Sequence, residues 1–135
     1  MQSIVVDAGP LIALFRKRDK HHLRAKGWVT SNSSRLVTTL AVVTEACHFL
    51  NSAGKLALLT WIRRGGLLLQ PVSVEHLDDI ERVIQKYAGR NIDFADATLV
   101  WLAGLLNTTD VLTIDRSDFE IYRLGRGKPF TVVSF

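Results

Sequence analysis

Short apolar runs alternate along the chain with longer segments that have helical periodicity. The apolar runs predict strands at residues 3–7, 36–39, 67–72, 111–114 and 131–135. Apolar positions spaced three and four apart predict helices at residues 10–17, 21–30, 41–50, 55–64, 74–87, 93–106 and 117–124. The segment 93–106 is apolar on nearly every face, so that helix should be buried. This alternation is typical of an α/β domain with a short, mainly parallel central sheet.

Residues 1–135 are predicted to form a single domain, since no repeat, low-complexity tract or long linker divides the chain. Hydrophobic residues make up 47% and charged residues 22%, as in ordinary globular proteins. No apolar stretch approaches the roughly 20 residues of a membrane helix, so we expect no association with a membrane. The one cysteine, Cys47, excludes an internal disulfide and fits a reducing compartment, so we expect a cytoplasmic protein.

Four acidic residues lie within or directly after apolar segments: Asp7, Glu45, Asp96 and Asp115. A carboxylate removed from water without a partner costs several kcal/mol, so buried carboxylates are normally paired or bound to metal. No lysine or arginine lies within three residues of the first three of these acids. A divalent cation is therefore the simplest partner that all four could share.

The predicted fold brings these four carboxylates to one edge of the sheet. Asp7 and Asp115 follow strands, and ligands of parallel α/β sheets bind beyond the carboxyl ends of the strands. Glu45 and Asp96 lie about one turn inside helices that could start on the same side. Carboxylate oxygens suit hard cations, so the pattern predicts a site for Mg²⁺ or Mn²⁺.

Charge along the chain favours an anionic partner. The formal net charge is +4, and the positive residues form two groups. One group lies between residues 16 and 26 and the other between residues 116 and 128. A polyanion that approaches carboxylates needs cations nearby, and we take Arg16, Lys17 and Arg116 as candidate nucleic-acid contacts. Either group taken alone is equally well explained as a solvated surface.

Four stretches resemble the signatures of PIN-domain nucleases, and most closely those of VapC-type ribonuclease toxins from prokaryotic toxin–antitoxin pairs. They are VVDAGPLIAL at 5–14, TTLAVVTEA at 38–46, DFADATLV at 93–100 and LTIDRSDF at 112–119. The resemblance extends from the first predicted strand to residues 130–134, which is essentially the whole chain. Each motif is weak alone, whereas all four in this order are fairly specific.

The resemblance implies a three-layer α/β/α PIN-like fold and a Mg²⁺-dependent endoribonuclease that is the toxin of a type II pair. It implies that Asp7 and Asp96 bind the metal, with Mn²⁺ as an alternative ion, and that Glu45 and Asp115 complete the catalytic set. It also implies an RNA substrate, a homodimer and inhibition by a small cognate antitoxin.

Three further residues are candidates to support the ligands from behind. Asp93 and Asp118 match positions that are often acidic in the family, three residues from Asp96 and Asp115 respectively. Thr113 could hydrogen-bond a water at the metal site, and packing within its strand is an equal alternative.

Other interpretations of the acids remain open at this point. Asp7 could simply cap the helix that follows it, and for Asp93 we favour capping over metal binding. Asp115 and Asp118 also suit turns. Two other functions compete with the toxin: a non-catalytic protein that uses the PIN fold to bind a partner, and a housekeeping nuclease that processes RNA or DNA.

Overall fold

Strands and helices alternate along residues 2–135, the part of the chain that this computed structural model describes. The strands are β1 (Ser3–Val6), β2 (Arg35–Thr38), β3 (Leu68–Leu69), β4 (Asp110–Leu112) and β5 (Thr131–Val133). The α-helices are α1 (Ala8–Phe15), α2 (His22–Ser31), α3 (Leu40–Cys47), α4 (Ser52–Arg63), α5 (Leu77–Lys86), α6 (Phe94–Leu106) and α7 (Arg116–Ile121). Single 3-10 turns occur at Val74–His76, Ala88–Arg90 and Gly125–Gly127.

The five strands form one sheet in the order β3-β2-β1-β4-β5, and every pair of neighbours is parallel. In the central register, Val5 lies beside Val37 of β2 and Val111 of β4. From β1, the chain adds β2 and β3 on one side of the sheet and later β4 and β5 on the other. The strand order therefore reverses between β1 and β4. Ligands bind at such a switch point in parallel α/β sheets. The predicted α/β fold with a mainly parallel sheet is confirmed.

The core lies where β1, β4 and α6 meet. All four residues of β1 are buried, and so is the run of α6 from Ala95 to Ala103. The predicted burial of this helix is confirmed, and it explains why the segment carries apolar residues on every face. Even α6, the longest described helix at 13 residues, does not meet the requirements for crossing a membrane, and neither does any other helix of residues 2–135.

Several element boundaries differ from those predicted, and three of the differences have a local cause. Helix α1 begins at Ala8, because the side chain of Asp7 caps its first turn. Strand β3 is only two residues long, since Pro71 has no N–H with which to extend the ladder. The segment predicted as one helix at 74–87 starts as a 3-10 turn, in which Ser73 and His76 form a capping box before α5.

Candidate active site

Seven acidic residues line one cleft of about 550 Å³ at the switch point of the sheet, and one of them is Asp19, in the connection between α1 and α2. The other six are Asp7, Glu45, Asp93, Asp96, Asp115 and Asp118. They come from the ends of β1 and β4 and from helices α3, α6 and α7, which all reach the same edge of the sheet. The structure therefore brings together every acid that the sequence singled out.

Asp7 joins the two central strands at the floor of the cleft. Its backbone N–H donates to the carbonyl of Leu112 in β4 at 3.0 Å. Its Oδ1 accepts from the N–H of Ala8, and its Oδ2 accepts from the hydroxyl of Thr113, each at 2.8 Å. Burial raises the pKa of Asp7 above its ordinary value, and the negative charge of Asp93 adds to the effect.

Thr113 has a contact that the sequence did not predict. Its hydroxyl donates to the Asp7 carboxylate itself and lies 3.1 Å from the carbonyl oxygen of Asp115. The Thr113 side chain is buried and does not line the cleft, so its hydroxyl contacts Asp7 from the protein interior. The predicted contact with a water at the metal site stays a prediction.

Asp96 is the most deeply buried acid of the cleft, with 9% of its surface exposed. It lies in the first turn of α6, and its Oδ2 accepts from the hydroxyl of Tyr122 at 3.0 Å. The pKa of Asp96 is raised to about 8, mainly by burial and then by the charges of Asp7 and Asp93. The hydrogen bond from Tyr122 lowers the pKa, but by less than these charges raise it. Without a cation, this side chain therefore tends to hold a proton near neutral pH.

Glu45 leaves one carboxylate oxygen without a partner. Its Oε2 is buried and has no hydrogen-bond partner among residues 2–135. Burial raises the pKa of Glu45, and the neighbouring charges of Asp93 and Asp7 raise it further. An unsatisfied buried oxygen of this kind is costly, and a bound cation or water would satisfy it.

Asp93 and Asp115 both cap helices through one oxygen. Oδ1 of Asp93 accepts from the N–H of Asp96 at 2.8 Å, at the start of α6. Oδ1 of Asp115 accepts from the N–H and the hydroxyl of Ser117, at the start of α7. The capping expected of Asp93 is thus observed, while the Oδ2 atoms remain for other contacts. Asp115 is exposed rather than interior, because it stands between the end of β4 and α7.

The donor set fits a hard cation. Within residues 2–135, no three His, Cys, Asp or Glu side chains are already arranged to hold one metal ion. Mg²⁺ nevertheless keeps several waters and usually binds proteins through only one or two carboxylates. The unpaired Oε2 of Glu45 and the many carboxylates of the lining are the features that such an ion and its waters would satisfy.

The three predicted nucleic-acid contacts lie outside the acidic cleft. Lys20 and His21, which the sequence did not single out individually, line the acidic cleft. Arg16 and Lys17 line a separate cavity of about 610 Å³ between α1 and α4. Arg116 does not line the cleft either, and its Nε lies 3.9 Å from Oε1 of Glu120. A role in nucleic-acid binding for these three arginine and lysine residues stays a prediction.

The fold and the cleft together define the class of the protein: a parallel α/β domain with a carboxylate-rich site at its switch point. Residues 4–125 match the PIN domain, so the chain belongs to the PIN domain family. The predicted family resemblance is therefore confirmed.

Two known proteins from Mycobacterium tuberculosis are similar to this chain. Over 134 residues it is 28% identical to Ribonuclease VapC26 of strain H37Rv, covering 96% of this chain and 99% of that protein. Its fold is similar to the crystal structure of VapC20, described as a Sarcin-Ricin loop cleaving toxin, with a TM-score of 0.74. That similarity has 20% identity and covers 85% of this chain and 93% of the other. The three-layer PIN-like fold is confirmed.

Proposed function

We propose that this PIN-domain protein is a metal-dependent endoribonuclease that hydrolyses RNA phosphodiester bonds as the toxin of a toxin–antitoxin pair. The observation that carries the proposal is the cleft of seven acids in which Glu45 Oε2 lacks a partner. A protein that only binds a partner gains nothing from carboxylates that repel one another. The names of the two relatives, a ribonuclease and a toxin that cleaves the Sarcin-Ricin loop, support the same function.

Asp7 and Asp96 would hold a Mg²⁺ ion, with Mn²⁺ as an alternative. Each has one oxygen bonded by a hydroxyl, and each carries a pKa raised by burial and by neighbouring charge. A cation relieves this repulsion and lets both side chains ionise at neutral pH. When bound, the ion supplies an activated water and stabilises the charge that develops on the phosphate.

The other residues of the cleft would orient water and substrate. Glu45 lines the cleft, so its carboxylate is placed to accept a proton from a water. Asp115 keeps Oδ2 for the same purpose at the rim. Lys20 would offset the phosphate charge next to the acids, and Arg16, Lys17 and Arg116 would contact the RNA backbone farther away.

The nuclease proposal is tested by RNA cleavage with purified protein. We expect Mg²⁺-dependent cleavage of RNA that the chelator EDTA abolishes. Asp96→Asn should reduce cleavage by at least about 100-fold, because it removes a charged ligand while keeping the side chain's shape. Asp79→Asn is the matched control: Asp79 is an exposed aspartate of α5, bonded to Arg82 and outside the cleft, and cleavage should be unchanged.

Two outcomes would contradict the proposal. Equal cleavage by the wild type and by folded, metal-supplied Asp96→Asn would show that the acidic cleft is not the catalytic site. RNA binding without cleavage, in either Mg²⁺ or Mn²⁺, would favour the non-catalytic binding protein.

Growth arrest on induced expression, relieved by the product of a small neighbouring gene, would distinguish the toxin from a housekeeping nuclease.

The proposal includes a protein partner, a homodimer and a cytoplasmic location, where RNA is available. Large apolar side chains that are exposed in the monomer support an interface. Among them are Leu23, Phe49, Leu56, Leu59 and Val74. The molecular mass in solution, measured by light scattering with and without the antitoxin, tests both assemblies. A monomer at micromolar concentration would contradict the dimer.

A further inference from the structure

The Asp96 carboxylate is held by a single tyrosine. The hydroxyl of Tyr122 donates to Asp96 Oδ2 at 3.0 Å, and both residues are buried. Within residues 2–135, no second hydrogen bond reaches the Asp96 side chain. The orientation of this carboxylate in the cleft therefore depends on where Tyr122 places its hydroxyl.

Tyr122 is itself fixed by an aromatic cluster at the end of α7. Its ring packs edge-on against Tyr87, with 5.0 Å between centroids, and against Phe119 at 5.3 Å. Its backbone N–H donates to the carbonyl of Asp118 at 3.0 Å. The contact with Tyr87 is made by its ring, whereas its hydroxyl accepts from the N–H of Arg123 at 2.6 Å. Tyr122 is 2% exposed, so the ring has little freedom to move the hydroxyl away from Asp96.

We infer that Tyr122 is a positioning residue for the metal ligand Asp96: its hydroxyl engages Oδ2 and keeps Oδ1 directed to the cation. The inference rests on the proposed metal-dependent function. At the other proposed ligand, Asp7, the Thr113 hydroxyl also engages Oδ2, and there Oδ1 accepts from the N–H of Ala8 as well. A hydrogen-bond partner of this kind fixes the orientation of a metal-binding side chain before the metal binds. The side chain then loses less conformational freedom on metal binding.

A purely structural role is the alternative, in which the hydrogen bond only satisfies two buried polar groups. The two roles predict different results for metal affinity. Loss of a structural hydrogen bond lowers stability by about 1 kcal/mol and leaves the affinity of the folded protein unchanged. Loss of a positioning hydrogen bond weakens metal binding, typically by about 10- to 100-fold.

The test is Mn²⁺ binding by the full chain, measured from the electron paramagnetic resonance signal of the free ion. We expect Tyr122→Phe to weaken Mn²⁺ binding by about 10- to 100-fold. Tyr87→Phe is the matched control, because it also removes a buried tyrosine hydroxyl from the same cluster without touching an acid. Its affinity should stay within about twofold of the wild type, even if its melting temperature falls.

A double-mutant cycle separates positioning from general damage. In an Asp96→Asn background, Tyr122→Phe should cause little further loss of Mn²⁺ affinity, since the residue through which it acts is already altered. Equal losses in both backgrounds would overturn the inference. All titrations are made at a temperature at which circular dichroism shows each variant folded without metal.

The outcomes distinguish this inference from the proposed function. If the wild type binds Mn²⁺ and cleaves RNA while Tyr122→Phe binds Mn²⁺ equally well, only the positioning role fails. If the wild type neither binds Mn²⁺ nor cleaves RNA, the metal-dependent function fails and the role of Tyr122 fails with it.

Discussion

Two groups of acidic residues in this molecule differ sharply in how their charge is balanced. On α5, Asp78 and Asp79 each bond the guanidinium of Arg82, at 2.9 and 3.0 Å, and all three side chains are exposed. In the cleft, seven acids line one surface, and within residues 2–135 one ion pair reaches them, between Arg90 and Asp118 at 3.3 Å.

The difference identifies which acids are available for function. The α5 acids are neutralised by their neighbours and by water, and near the start of a helix they also interact favourably with its dipole. The pKa values of Asp7, Glu45 and Asp96 are all raised, because burial and mutual repulsion oppose their charge. The cleft therefore carries an electrostatic cost in the metal-free protein, which a divalent cation would remove.

The largest effect on stability should appear in the pH dependence of the metal-free protein. The pKa of Asp96 rises from 3.8 to about 8 on folding, so the folded state favours the protonated form. This contribution to stability is fully present below the unfolded pKa and is lost as the pH rises through about 8. Each unit corresponds to about 1.4 kcal/mol, so we expect a loss of a few kcal/mol.

This pH effect is measured as the melting temperature in EDTA from pH 5 to pH 9. The melting temperature should fall as the pH rises in the wild type and fall much less in Asp96→Asn, which retains every other titratable group. Parallel curves for the two proteins would show that Asp96 is not the group responsible. Asp79→Asn, on the exposed face of α5, should reproduce the wild-type curve.

Divalent metal should reverse this loss at high pH. Binding only to the folded state stabilises a protein by about 2.7 kcal/mol when the free metal is 100 times its dissociation constant. For a domain of this size, the melting temperature should rise by about 10 °C. The comparison uses NaCl at equal ionic strength, because screening alone also weakens repulsion among the acids. A rise of the same size in NaCl, or in Asp96→Asn with metal, would contradict a specific site.

Glu45→Gln should stabilise the metal-free protein at pH 8. The substitution removes a partly exposed charge close to Asp7 and Asp93, and because solvent screens much of their repulsion we expect a gain of less than about 1 kcal/mol in the free energy of unfolding. Urea denaturation in EDTA measures the gain. A loss of stability would show that the Glu45 carboxylate contributes to the fold, contrary to its Oε2 having no partner.

Much of this arrangement could be predicted from the sequence, because its signals are local. Apolar runs of three to five residues marked the strands, and the continuous apolar character of 94–106 marked α6. Asp7 and Asp115 follow such runs directly, so the parallel sheet was sufficient to place them at one edge. Pro71 also had a local signal, and it shortened β3 more than we expected.

The hydrogen bonds that hold the side chains of Asp7 and Asp96 could not be predicted in this way. Tyr122 meets Asp96 across 26 residues, and Thr113 meets Asp7 across 106. Neither contact leaves a periodic pattern or a short motif in the sequence, because each results from the packing of distant elements against one another. The position of Lys20 and His21 in the cleft depends likewise on the path of the short connection between α1 and α2. Within a group of positive residues, sequence alone does not show which member faces the acids.

The smallest effect should come from the other half of the comparison, the α5 ion pairs. Arg82→Ala removes both bonds to Asp78 and Asp79, yet exposed pairs of this kind contribute only about 0.2 to 1 kcal/mol. Alanine is also an excellent helix former, which offsets part of the loss. We expect the free energy of unfolding to fall by less than about 1 kcal/mol, and the difference to shrink in 0.5 M NaCl as salt screens the charges. Urea denaturation at both salt concentrations measures it, and RNA cleavage should be unchanged. A loss above about 2 kcal/mol would show that α5 depends on its acids being paired, and the contrast with the cleft would then no longer hold.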